Sequence, residues 1–293
     1  MPLPIPAPLD SGTTTSTPVP LYWCRYGTNA ADRLLLLHGG PGASHDYLLP
    51  QMLKLAERRE CLFYDQRGGG RSRHDDDREP VTADLLVHEV AQVVREFALD
   101  PLTIVGYSWG GLLAMLYAIA AAESETMVQP RRLVLIDPAP ITHAYRARFD
   151  AEFTRRQQGE EIQAMRRELV ESGLRESDPP AYRQRLFELG VAGYFANPRA
   201  ARALTPFRVT GRVQQGVWGS LGEYDVRDAL ARVDARTLII HGRQDPIPML
   251  SSEEAAQILG ARLIVLDDCG HVPWVERPES LFQEIEDFLA APA

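Results

Sequence analysis

The run Gly106-Tyr107-Ser108-Trp109-Gly110 joins a β-branched stretch, Leu102-Thr103-Ile104-Val105, directly to an apolar helical stretch, Leu112–Ala122. A serine between two glycines at a strand-to-helix junction implies a very tight turn. Side chains two before and two after the serine would collide there, and the Ser108 hydroxyl is left exposed above a sheet at a helix N-terminus. Few architectures turn a strand into a helix this sharply, so the run restricts the fold as well as the chemistry. A glycine-flanked turn serine without a chemical role is the bland alternative.

The rest of the chain supplies partners for such a serine. The strand Thr237–His241 leads into Gly242-Arg243-Gln244-Asp245-Pro246, which lifts Asp245 off the strand's C-terminal end. The next strand, Arg262–Leu266, is followed by Asp267-Asp268-Cys269-Gly270-His271. The chain order Ser, Asp, His differs from that of chymotrypsin and of subtilisin, but the roles transfer: His271 would take the Ser108 proton, and Asp245 would fix the imidazole tautomer and stabilise its charged form. Of the 7 histidines, His271 alone follows Asp245 on a loop after the next strand. Asp137, in Leu135-Ile136-Asp137-Pro138, also ends a strand and is a rival for the acid.

An earlier apolar strand, Leu34–Leu37, runs into His38-Gly39-Gly40-Pro41-Gly42. Acyl transfer needs fixed donors for a developing oxyanion, usually backbone N–H groups. Here they would be Trp109 N–H and an N–H of the glycine loop, Gly40 first and Gly39 beside it; a ligand-free glycine turn is the alternative. Neither this loop nor Arg67-Gly68-Gly69-Gly70-Arg71-Ser72 has phosphate-cradle spacing, which disfavours a nucleotide site. Asp65-Gln66-Arg67-Gly68 follows the strand Cys61–Tyr64 and is expected to brace the serine turn.

Composition narrows the class. In 293 residues, apolar types make up 45% and charged types 24%, with a net charge of −9, which disfavours nucleic acid and anionic membranes as partners. Three cysteines, Cys24, Cys61 and Cys269, with no C-x-x-C and no His/Cys cluster at metal spacing, suggest neither a disulfide framework nor a metal site. No cofactor is expected. The start has neither a basic segment nor a sustained apolar one, and no stretch reaches membrane-spanning length, so a cytoplasmic location is expected. Residues 2–18, rich in Pro, Ser and Thr, read as an extended or frayed arm.

Strand signals near 20–26, 33–37, 60–64, 102–105, 132–136, 237–241 and 262–266 alternate with helical stretches near 45–58, 82–98, 109–122, 251–259 and 276–290. That alternation predicts an α/β fold: a mostly parallel central sheet with helices on both faces. It stops between 141 and 226, where Arg/Glu-rich helical segments such as 160–173 and 181–193 replace any strand signal. The chain therefore divides into a core, 1–140 and 227–293, and an inserted helical cap, 141–226, whose inner face would roof Ser108.

With these residues in place, the chain resembles the α/β-hydrolase superfamily over its length, and within it the proline iminopeptidase family of serine peptidases. The matching segments are His38 to Gly42, Asp65 to Ser72, Ser108 to Gly111, and Gly42-Ala43-Ser44-His45-Asp46-Tyr47. The resemblance implies the Ser108, Asp245, His271 triad on an α/β-hydrolase fold, and cap glutamates that bind the free α-amine of a short peptide. Glu152, Glu160, Glu161, Glu168, Glu171, Glu188 and Glu223 are available, with Glu223 favoured because it lies where the cap rejoins the core. Some members carry a glutamate directly after the catalytic aspartate; this chain has Pro246. The expected activity is release of an N-terminal residue, proline preferred, from short peptides or amides. A carboxylesterase or lactonase acting on small apolar esters is the alternative, and a non-catalytic binding protein a third. The sequence does not specify an oligomeric state.

Overall fold

Among the described residues eight strands form one sheet: β1 Asp10–Thr13, β2 Tyr22–Tyr26, β3 Arg33–Leu37, β4 Glu60–Tyr64, β5 Leu102–Tyr107, β6 Pro130–Ile136, β7 Arg236–Gly242 and β8 Arg262–Leu266. They lie in the order β1-β2-β4-β3-β5-β6-β7-β8 in a computed structural model that describes residues 3–28, 31–73 and 80–291. β1, β2 and β4 pair antiparallel, and every later pairing is parallel.

The parallel strands are continuous apolar runs because both faces are covered. In β3, Leu35 and Leu37 pack on one side with Leu112, Leu113 and Val90, whereas Leu34 and Leu36 pack on the other with Phe63, Trp274 and Ile285. Helices Ala83–Glu96 and Trp109–Ala122 cover the first face, and Pro278–Ala290 contributes to the second.

One core expectation is narrowed and one changes. The N-terminal arm is docked: β1 adds an edge strand, and Glu96 accepts hydrogen bonds from Thr15 N at 2.8 Å and Ser16 N at 2.9 Å. The stretch 45–58 is not one helix but two 3-10 turns, His45–Leu48 and Gln51–Glu57, separated at Pro50, which lacks the N–H a continuous helix requires.

Between β6 and β7 the described residues form helices and no strand. The longest helices there are His143–Gln157, Glu160–Glu171, Pro179–Val191 and Gly211–Leu221. A single bridge between Thr142 and Asp225 pinches the two ends of the insertion together. The last of these helices has no clear helical signal because Gly211, Gly216 and Gly219 are poor helix formers. Packing explains one of them: a Cβ on Gly216 would lie 2.8 Å from the Val81 carbonyl oxygen.

Candidate active site

The turn after β5 holds Ser108 at φ 52° and ψ −119°, a conformation costing about 1–3 kcal/mol for a non-glycine residue. The surroundings enforce it. Ser108 N–H donates to Ile136 O at 2.9 Å, and Ser108 O accepts from Ala139 N–H at 2.8 Å. A Cβ on Gly106 would stand 2.4 Å from Gly110 O, the expected collision across the turn. A Cβ on Gly110 would instead strike Leu37 O at 2.1 Å, so the second glycine is required by the adjacent end of β3.

The loops after β7 and β8 bring Asp245 and His271 to this serine. His271 Nε2 lies 2.9 Å from Ser108 Oγ, and Nδ1 lies 2.7 Å from Asp245 Oδ2. Asp245 Oδ1 also accepts Ile247 N–H at 2.7 Å. Ser108 is half-buried, while Asp245 and His271 are buried. Burial lowers the His271 imidazole from its ordinary value to about 4; Asp137 opposes that shift, and the Arg156 guanidinium adds to it. Arg156 comes from the insertion and donates to the Gln244 carbonyl beside Asp245.

The insertion also fixes the histidine loop. His271 N–H donates to Tyr194 O at 2.7 Å, and the Tyr194 ring stacks on the imidazole with centroids 5.1 Å apart. Tyr107 OH donates to His271 O at 2.9 Å from below. Glu276 accepts Gly270 N–H at 2.7 Å, Asn197 N–H at 3.0 Å and Ala196 N–H at 3.3 Å, tying the histidine loop to residues 196–197. Tyr194 and Glu276 carry no local sequence signal, because their role arises from a contact between segments far apart in the chain.

Behind the serine, the turn after β4 forms the expected brace. Trp109 Nε1–H donates to Gln66 Oε1 at 2.8 Å, Gln66 Nε2–H donates to His38 O at 2.8 Å, and Gln66 N–H donates to His38 Nε2 at 3.1 Å. Burial lowers the pKa of His38, in keeping with a neutral ring that accepts at Nε2. Trp109 N–H opens its helix and so has no partner within it. Gly40, at φ 62°, makes the left-handed step of the glycine loop. Gly39 is packed in: its Cβ would be 2.8 Å from Ser108 Cβ.

Around the serine and histidine the contacts are mostly aromatic. Tyr194 stacks on Phe149 and meets Phe153 at a tilt, Tyr47 meets Phe207 with centroids 4.4 Å apart, and Trp218 meets Trp109 at 5.1 Å. The glutamates of the insertion are engaged elsewhere. Glu223 stands in solvent, its side chain 88% exposed and paired with His143 at 2.9 Å, which is not the desolvated setting an ammonium-binding carboxylate needs. Glu152 is held by Arg155 and Arg156, and Glu161 and Glu168 by Arg199. Glu160 and Glu171 are exposed. Glu188 is buried but pairs with Arg185 and lines a cavity with Met165 and Leu169 inside the insertion.

Asp137, the rival acid, lies beside Asp245 and does not contact the histidine ring through any hydrogen bond among the described residues. Asp137, His241 and Asp245 each place one polar atom within 4.8 Å of the others, a spacing a cation could use. The His241 ring, however, already meets Ser252 Oγ at 2.8 Å and Ile247 O at 3.3 Å.

Comparison with known proteins agrees with this architecture. The alpha/beta hydrolase family matches residues 34–284. The proline iminopeptidase of Thermoplasma volcanium is 30% identical, over 86% of each chain, and that of Saccharolobus solfataricus 26%, over 92% of this chain and 88% of the other. Among solved structures, the proline iminopeptidase of Mycobacterium smegmatis superposes with a TM-score of 0.69 at 23% identity, covering 96% of this chain and 97% of that one. An esterase from Exiguobacterium antarcticum does so with a TM-score of 0.68 at 19% identity, covering 94% and 98%; at these identities both speak for the fold alone. The chain belongs to the alpha/beta hydrolase family, with proline iminopeptidases among its relatives in sequence.

Proposed function

We propose that this chain is a serine hydrolase working through an acyl-enzyme, with Ser108 as nucleophile, His271 as general base and acid, and Asp245 as the orienting carboxylate. The observation that carries the proposal is the continuous relay from Ser108 Oγ through His271 to Asp245, at 2.9 and 2.7 Å, on a serine held in a strained turn. Ser108 Oγ attacks the substrate carbonyl carbon as its proton passes to His271 Nε2. Trp109 N–H and Gly40 N–H receive the oxyanion. The tetrahedral adduct expels its leaving group, protonated by His271, and water activated by the same nitrogen then releases the acid.

Kinship supports an aminopeptidase that releases an N-terminal residue, proline preferred, since relatives matching 86–92% of the chain are proline iminopeptidases. A second assignment, hydrolysis of small apolar esters or lactones, is favoured by one observation: the glutamates of the insertion stand in solvent or in arginine pairs, while aromatic rings surround His271. A charged α-amine needs carboxylates inside the pocket, whereas an apolar acyl group needs none.

A fluorophosphonate should label the wild-type protein at Ser108 and leave Ser108→Ala unlabelled; labelling of that variant would refute the nucleophile. Three substrates then separate the classes: proline arylamide, the same arylamide blocked at nitrogen, and a p-nitrophenyl ester. The aminopeptidase expectation is turnover of the free arylamide and none of the blocked one. Equal turnover of the two, with the ester preferred, would establish the esterase assignment instead.

A further inference from the structure

Asp137 is a fully buried carboxyl that the reaction above does not use. It follows β6 directly, next to β7, the strand that delivers Asp245, and its backbone is left-handed at φ 42°. A buried acid in a conformation that aspartate adopts only at a cost implies a surrounding structure that fixes it there. Its Oδ1 accepts Gly242 N–H at 2.8 Å, which clamps the carboxyl across the ends of the two strands. Its Oδ2 is buried and receives no hydrogen bond from any described N–H or O–H group.

The carboxyl has one acid neighbour. Asp137 and Asp245 each place a carboxyl oxygen within 4.8 Å of the other's, an approach that becomes a hydrogen bond only when one of the two carries a proton, because two carboxylates have no hydrogen to share. Two buried carboxyls this close cannot both ionise. Asp245 has the stronger hold on charge, since it accepts both His271 Nδ1–H and Ile247 N–H. Asp137 accepts only one.

We propose that Asp137 is a positioning residue: neutral, with its Oδ2–H donated to Asp245, it extends the Ser108–His271–Asp245 relay by a fourth group and holds the Asp245 carboxylate ionised and aimed at His271. The proton stays on Asp137 throughout the cycle, and no bond to substrate forms there. Burial and then the neighbouring Asp245 push the Asp137 carboxyl well above its ordinary range. Burial also pushes Asp245 up, to about 7, and the hydrogen bonds from Asp137 and Ile247 work against that rise. Without its donor, Asp245 would lose ionisation at the pH where the relay has to work. The inference rests on the triad of the preceding section.

Asparagine is the shape of a protonated aspartate: its amide N–H donates to Asp245 while its carbonyl accepts from Gly242. Asp137→Asn should therefore keep kcat/KM within about 3-fold of wild type and leave its pH profile in place. Asp137→Ala should lose about 10- to 100-fold in kcat/KM, and its acid limb should move up by about one pH unit. Infrared difference spectra at neutral pH, wild type minus Asp137→Asn, should contain a protonated-carboxyl C=O band. If Asp137→Ala does not fold, Asp137→Asn and the band decide. An unaltered Asp137→Ala, an Asp137→Asn as impaired as the alanine variant, or a missing band would overturn the proposal. An active Ser108→Ala would instead overturn the triad while leaving the band in place, so the two failures are distinguishable.

Discussion

His271 and His45 each hold an aspartate oxygen 2.7 Å from Nδ1 and a nucleophilic atom near Nε2: Ser108 Oγ at 2.9 Å in one case, Cys24 Sγ at 3.2 Å in the other. By distance alone the molecule contains two triads. Their charge states are opposite. Burial disfavours a charged His45, but hydrogen bonds to Asp65 and Cys24 and the charge of Asp65 outweigh it and raise the ring to about 10. Burial likewise opposes charge on Asp65, yet His45 and Arg71 N–H hold that carboxyl below its usual range. His45 is therefore an imidazolium that donates from both nitrogens and has no lone pair to act as base. His271, pushed down to about 4, is neutral and free to accept at Nε2. Access differs too: Ser108 is half-buried, whereas Cys24 is 1% exposed, inside the sheet between β1 and β4. The comparison teaches that a relay is defined by where its protons sit and what can reach its nucleophile, as much as by its spacing.

The largest effects should fall on the first relay. Ser108→Ala and His271→Ala should each reduce kcat on the order of 10⁴-fold or more, and the double variant should be little worse because the two act as a unit. Cys24→Ala should leave kcat/KM within about 2-fold, since a buried thiol behaves as a small apolar group. Steady-state rates and acyl-enzyme bursts on the best substrate of the three-substrate assay check both. A Cys24 variant as damaged as Ser108→Ala would erase the distinction between the relays.

The two relays differ as much in sequence as in charge. Ser108, Asp245 and His271 are visible because each ends or follows a strand in the order the turn at Ser108 demands, and the sheet follows from apolar runs of about five residues. The His45–Asp65–Cys24 relay is not visible in this way. Its members lie on an irregular turn, a loop and an outer strand, and only the packing of β2 against β4 unites them. The same holds for Glu276, Tyr194 and Arg156, whose roles depend on how the insertion folds back over the core. Asp137 was legible as a strand-end acid but not as a partner of Asp245, because the alignment of β6 with β7 sets that pairing. The order of the N-terminal arm is illegible for a related reason: its Pro and Ser content leaves extended and frayed states both open, and it is the unpaired edge at β2 that recruits residues 10–13 as a strand.

The two aspartates allow a crossed test. Asp245→Asn should slow turnover by about 10³- to 10⁴-fold, because the asparagine amide favours the wrong imidazole tautomer, and should change unfolding little. Asp65→Asn should do the reverse. It strands a buried imidazolium, so it should cost about 3–5 kcal/mol of stability in denaturant unfolding while leaving kcat per folded molecule near wild type. Asp137→Asn proving more damaging to turnover than Asp245→Asn would reverse the ranking of the acids.

The smallest effect expected is on pH dependence, where the histidines should respond in opposite directions. Folding lowers the pKa of His271 from 6.5 to about 4, so the unfolded chain takes up its proton first, and the neutral folded ring disfavours the native state progressively as pH falls through that window. Folding raises His45 from 6.5 to about 10, so its stabilisation is complete below 6.5 and is lost as pH rises toward 10. Thermal unfolding should show Tm falling between neutral pH and about 10, with that fall reduced in His45→Gln. Over the same titration, kcat/KM for an uncharged ester should carry one acid limb at about pH 7, set by the Asp245 carboxyl, and none from His271, which is already neutral there. A limb that persists in Asp245→Asn would belong to His271, and the contrast between the two relays would then rest on access to Ser108 and Cys24 alone.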